Sequence, residues 1–128
     1  MSAGGDIRDM LRTILTSPEF YSPEAMDAKT KSPFELAVSA IRALNGSTDG
    51  SRQLAQMIGR MGQPLYQYQS PTGFPDRADQ WMSNGSVVER LNFAVALSSN
   101  KIPGTTVSVD EPAKSIAMML GSPEFQKR

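Results

Sequence analysis

The chain contains neither histidine nor cysteine, so any chemistry must come from carboxylates, lysine, tyrosine, serine or threonine. Without histidine there is no Ser-His-Asp or Cys-His arrangement, and the commonest general base and metal ligand is missing. Without cysteine there are no disulfides, no thiolate and few routes to a zinc site. Two acids are spaced to act together. Asp76 and Asp79 lie three apart, which on a helix would place them on one face as an acid–base pair or a divalent-cation site. The competing reading is that Asp76, following Pro75, caps a helix start. Arg77 stands between them, and Arg60, Arg77 and Arg90 flank the same region. These guanidinium groups could converge on an anion or a partner carboxylate, or form solvated pairs with acids such as Glu89.

The other chemically useful group is aromatic. Tyr66, Tyr68, Phe74 and Trp81 fall within residues 62–81, together with Pro64, Pro71, Pro75, Gly62 and Gly73. Their rings could form a platform for a sugar or a peptide, with hydroxyl and indole N–H groups as hydrogen-bonding partners. They could equally pin the segment onto a core. The proline next to Phe74 and the helix around Trp81 favour pinning for those two, which leaves Tyr66 and Tyr68 as the surface pair. The stretch has no helical or strand period, and its aromatic content is too high for a flexible linker. It is therefore expected to be a long ordered loop.

The elements that must hold this loop are helices. Asp6 can cap a first helix whose Ile7, Met10, Leu11, Ile14 and Leu15 make one continuous apolar face. Ser-Pro starts recur at Ser17, Ser22 and Ser32, and Glu35 completes a capping box with Ser32. The helix that follows is expected to bury Phe34, Ala37, Val38, Ile41 and Leu44, and to stop at Asn45-Gly46. Asp49 or Ser51 can cap a helix with Leu54, Met57, Ile58 and Met61 inward, ended by Gly62 and Pro64. A short helix capped by Asp76 reaches Trp81-Met82. Asn84-Gly85 reads as a break, and Ser86 with Glu89 as the capping box of the central, most buried helix, Val87 to Leu97. Ile102-Pro103-Gly104 is a turn, and Thr105 to Val109 is too short and solitary to propose a sheet. Asp110 can cap a last helix carrying Ile116, Met119 and Leu120. Leu15-Thr16-Ser17-Pro18-Glu19-Phe20 is echoed by Leu120-Gly121-Ser122-Pro123-Glu124-Phe125. We read the echo as a reused helix ending, with the serine capping and the phenylalanine folding back, since two copies make no solenoid. The fold class is all-α: an irregular bundle of about five main helices, over residues 1–128 as a single helical domain.

Composition supports one soluble globular unit and excludes several functions. Of 128 residues, 39% are hydrophobic and 20% charged, and thirteen basic residues balance thirteen acidic ones. No net field draws in nucleic acid or anionic lipid, which argues against nucleic-acid binding. No apolar run approaches the roughly 20 residues that span a bilayer. The first residues lack the basic and apolar regions of a signal peptide, so the chain is either cytosolic or cut from something longer.

Several motifs decide for the second option. Ser17-Pro18-Glu19-Phe20-Tyr21, Lys31-Ser32-Pro33-Phe34-Glu35, Met61-Gly62-Gln63-Pro64-Leu65-Tyr66, Pro71-Thr72-Gly73-Phe74-Pro75-Asp76 with Trp81, Arg90-Leu91-Asn92-Phe93-Ala94 and the closing Leu120-Gly121-Ser122-Pro123-Glu124-Phe125-Gln126 resemble, in order and spacing, the carboxy-terminal part of the domain-of-unknown-function 1800 proteins. The resemblance implies a long bacterial parent, often with an export signal, located in the periplasm or cell envelope. It assigns no activity and no catalytic residue. The chain is then expected to be a soluble carboxy-terminal fragment without cofactor or metal. Its expected role is a non-catalytic module docking on the missing amino-terminal part or an envelope protein. The alternative is a glycan- or peptide-binding module using Tyr66, Tyr68, Phe74, Trp81, Asp76 and Arg77, in the service of a hydrolase. An independent carboxylate enzyme around Asp76 and Asp79 ranks last.

Overall fold

The computed structural model describes residues 5–26, 28–75, 77–108 and 110–128. In order, the elements are α1 (Ile7–Thr16), a 3-10 turn (Pro18–Tyr21), α2 (Pro33–Ala43), β1 (Ser47–Thr48), α3 (Arg52–Arg60), α4 (Ala78–Trp81), α5 (Asn84–Ser98), β2 (Thr105–Thr106) and α6 (Ala113–Gly121). The class is all-α, with five longer helices and the four-residue α4.

Capping chemistry explains most of the helix starts. Asp6 accepts from the Arg8 N–H (2.8 Å), and Ser51 from the Leu54 N–H (3.3 Å). At α2 the capping box is complete: Ser32 Oγ accepts from the Glu35 N–H while Glu35 Oε2 accepts from the Ser32 N–H. Three expected starts fall elsewhere. Ser22-Pro23-Glu24 opens a turn and no helix. The α5 cap is Ser83, one turn before the expected Ser86, so Asn84 and Gly85 lie inside the helix. Such residues are tolerated there because first-turn N–H groups have no helical partner to lose. Ser86 is buried instead, its hydroxyl donating to the Trp81 carbonyl (2.6 Å) with the Met61 carbonyl 3.1 Å away. At α6 the cap position falls to Pro112 without a side-chain bond, so Asp110 does not cap it.

The core draws Leu36, Ala40 and Ile41 from α2, Leu54 and Ile58 from α3, Phe93 and Leu97 from α5, and Ile116 and Leu120 from α6. Phe34, expected inside, is exposed: it sits at the second position of α2, whose buried stripe begins at Pro33 and continues through Leu36 and Ala37. The central helix is also less enclosed than its composition suggested. The buried stripe of α5 is Ser86, Arg90, Phe93, Ala94 and Leu97, while Val88, Leu91 and Val95 face solvent.

Among the described residues there is one sheet, a two-stranded antiparallel ladder pairing Ser47 with Thr106 and Thr48 with Thr105. Its strands are far apart in sequence, so neither betrays the other locally. Side chains lock the pair: Thr48 Oγ1 and Thr105 Oγ1 are 2.8 Å apart, Ser51 Oγ donates to the Pro103 carbonyl, and Asn100 bonds both backbone groups of Val107. Gly104, at φ +73°, lies against the Asp49 carboxylate where a Cβ would collide with it, so only glycine fits that turn. The far end of the chain is tied in by a second antiparallel contact. Lys31 N–H donates to the Gln126 carbonyl and Arg128 N–H to the Lys29 carbonyl, each at 2.8 Å.

Candidate functional site

Residues 62–75 form an irregular segment, and its rings with Trp81 form a ladder from the interior to the surface. Trp81, on α4, is 3% exposed. Phe74 lies 6.0 Å from it and Tyr68 lies 4.3 Å from Phe74, both tilted. Tyr66 is fully exposed and its backbone sits at φ +61°, a region that bulky side chains rarely occupy. Gln63 ties the segment to α2 by accepting from the Phe34 N–H (2.8 Å). Phe34, Leu65, Tyr66, Tyr68, Pro71 and Phe74 face a hollow of about 510 Å³ that also takes in Gln63 and Ser70.

Of the sequence-derived site residues, Tyr66, Tyr68 and Phe74 are therefore brought together. Trp81 is not on that surface: it is the buried anchor below Phe74, because α4 turns its ring into the body. Arg77 occupies the α4 cap position without a cap bond, and its guanidinium donates to Asp79 at 3.1 and 3.2 Å in full solvent. Asp76 lies outside the described residues, and with it the pairing of Asp76 and Asp79. The expected convergence of three arginines does not occur. Arg77 is paired with Asp79, and Arg60 borders a separate hollow beside Lys101.

Arg90 departs furthest from expectation, being 2% exposed. Its Nη1 donates to Gln126 Oε1 (2.7 Å) and its Nη2 to the Lys31 carbonyl (2.8 Å), while Nε has no partner. Burial lowers its pKa, since the charged form loses water. The guanidinium is a structural bolt holding the chain's last residues and Lys31 to α5. A signal was available: position 90 shares the helical spacing of Ser86, Phe93, Ala94 and Leu97, so it had to point inward.

Two apolar faces stand apart from the hollow. On α1 no residue is buried: Ile7, Met10, Leu11, Ile14 and Leu15 are between 46% and 69% exposed. Between α5 and α6, Leu91, Val95, Ala113, Ala117 and Met118 line an open groove of about 500 Å³ with Lys114 at its rim. The helix-ending echo sharpens the contrast. Ser17 Oγ accepts from the Phe20 N–H and Ser122 Oγ from the Phe125 N–H, both at 3.3 Å, so one device closes α1 and α6. Yet Phe125 packs against the core, with the Lys31 ammonium over its ring, whereas Phe20 stays 48% exposed.

Among the described residues no three histidine, cysteine, aspartate or glutamate side chains cluster as metal ligands, and no helix is long and apolar enough to cross a membrane. No curated protein and no solved structure matches the chain. The profile of the family described as "Protein of unknown function (DUF1800)" matches residues 1–127, and the chain belongs to that family.

Proposed function

We propose that the chain is a non-catalytic docking module, the carboxy-terminal part of an exported bacterial protein, and that α1 is its contact surface. The occupant is the amino-terminal part of the same polypeptide, with an envelope protein as the other candidate. The observation that carries this is the bare apolar face of α1. Five side chains each leave about half their surface in water, so covering them would recover on the order of 1 kcal/mol apiece, about 5 kcal/mol together. A ten-residue helix is marginal in water by itself, so its strict amphipathic pattern makes physical sense only with a partner. Phe20 and Phe125 support the same reading, because one device packs Phe125 against the core and leaves Phe20 half exposed with the ring of Tyr21 against it. The groove between α5 and α6 offers a second contact. The absence of histidine and cysteine further favours a role that needs no reactive group.

The test is binding of the 128-residue chain to the separately expressed amino-terminal part of its parent. Leu11→Asp with Ile14→Asp should abolish the complex while leaving the chain's own melting temperature within about 2 °C, since neither residue is buried. Unchanged binding by the double variant would overturn the proposal. A loss of many degrees in the isolated chain would show instead that α1 packs on its own body.

A further inference from the structure

We propose that the aromatic hollow between Phe34 and residues 63–74 is a recognition site for an extended, proline-rich peptide segment. This site is separate from α1 and stands or falls independently of the docking proposal.

The backbone places Tyr66 at the rim against local preference. A tyrosine at φ +61° is strained, and this one packs on nothing that would offset the strain, being fully exposed. Strain held at an exposed position points to a use outside folding. Below it the floor is fixed, because Tyr68 packs at a tilt against Phe74 and Phe74 against the buried Trp81, whose carbonyl is held by Ser86. The receptor surface is thus ordered before any ligand arrives, which removes part of the entropic cost of binding.

The lining selects the class of ligand. Among the described residues no charged side chain lines the hollow, so none of them offers a counter-charge to an acidic or a basic segment. The polar groups act chiefly as donors. Gln63 Oε1 accepts from the Phe34 N–H, its amide –NH₂ is a donor, and the tyrosine hydroxyls can both donate and accept. A polyproline II helix matches this arrangement. Its rings present apolar faces to aromatic ridges, its carbonyls accept, its prolines have no N–H needing a partner, and its extended shape is already formed. A sugar fits less well, because it carries hydroxyls around the ring and each one desolvated without a partner opposes binding. Gln63, Ser70 and two tyrosines cannot serve them all, and Ser70 Oγ is already engaged with Thr72 at 2.7 Å.

The experiment titrates the 128-residue chain with fluorescein-labelled, end-blocked decaproline and, in parallel, with a labelled Gly-Ser decapeptide and labelled cellohexaose. Decaproline should bind saturably and independently of ionic strength, with the other two probes failing to saturate. Tyr68→Ala and Gln63→Ala should each weaken decaproline by about fivefold or more, the fold-change of a contact that costs about 1 kcal/mol on truncation. Tyr66→Gly serves as the control for folding. Glycine suits the left-handed backbone, so the melting temperature should hold or rise while affinity falls by at least the same factor. Saturation by cellohexaose in place of decaproline, absence of decaproline binding, or binding indifferent to Tyr66→Gly would each overturn the proposal.

Discussion

Replacing Arg90 tests how the tail is fastened to the body. Arg90→Ala removes two hydrogen bonds from a charged donor, to Gln126 Oε1 and to the Lys31 carbonyl. Bonds of that kind contribute about 1.5–3 kcal/mol each. Against them stands the cost of burying a guanidinium whose Nε is unpartnered and which, among the described residues, has no carboxylate in contact, and that cost offsets a large part of the gain. The alanine variant also leaves both acceptors without their donor, at about 1–3 kcal/mol apiece where water does not enter. We expect a net loss of about 3 kcal/mol, or close to 10 °C in melting temperature for a domain of this size. Arg90→Met fills the space and removes the charge, so it should lose less. Adding Gln126→Leu to Arg90→Met should change the total little, because the orphaned Gln126 acceptor disappears while the Leu120 carbonyl loses its bond from Gln126 Nε2. Calorimetry gives the totals. Amide exchange at Lys31 and Arg128, which form the tail's ladder bonds, should accelerate most. An alanine variant melting within 2 °C of the parent, or a methionine variant more stable than it, would show that desolvation outweighs the bonds.

Two further outcomes follow from the geometry. Trp81→Ala should cost about 3–5 kcal/mol by calorimetry, as for other buried large aromatics, whereas Tyr68→Ala at the half-exposed end of the same ladder should cost far less. Equal losses would contradict the core-to-surface order. Glu124 is held below the ordinary carboxylate range, first by a hydrogen bond from its own backbone N–H, then by one from Ser122, with Lys127 adding to the effect. A depressed folded-state pKa means the contribution is fully present above the unfolded value and is lost as pH falls through the folded one. In an NMR titration Glu124 should therefore titrate below an unstructured glutamate, and Ser122→Ala should raise its midpoint. A midpoint unmoved by Ser122→Ala would contradict the assignment.

Local chemistry made much of this fold legible. Asp6, Ser17, the Ser32–Glu35 box, Ser51 and the left-handed Asn45 each act within a few residues, so each can be read from sequence. Errors arose where two local solutions compete or where the decision is remote. Ser83 and Ser86 stand one turn apart and either could cap α5; burial of Ser86 beneath Trp81, which is set by tertiary packing, selects Ser83. The β1–β2 ladder depends on a pairing across 57 residues between Thr48 and Thr105, which no local pattern encodes. The exposure of Val88, Leu91 and Val95 was hidden by an apolar composition that does not say which side is covered. The aromatic cluster was legible as a cluster. Its division into a buried Trp81 and an exposed Tyr66 was not, because it depends on how α4 lies against the body.

The most direct test of the central claim is amide hydrogen exchange along α1, first in the isolated chain and then with the amino-terminal part of the parent bound. Our account predicts rapid exchange at Leu11 through Leu15 in the isolated chain, with α2 and α5 protected, and slow exchange throughout α1 in the complex. An α1 already as protected as α5 when alone, or one whose exchange is unaltered by the bound remainder, would contradict it.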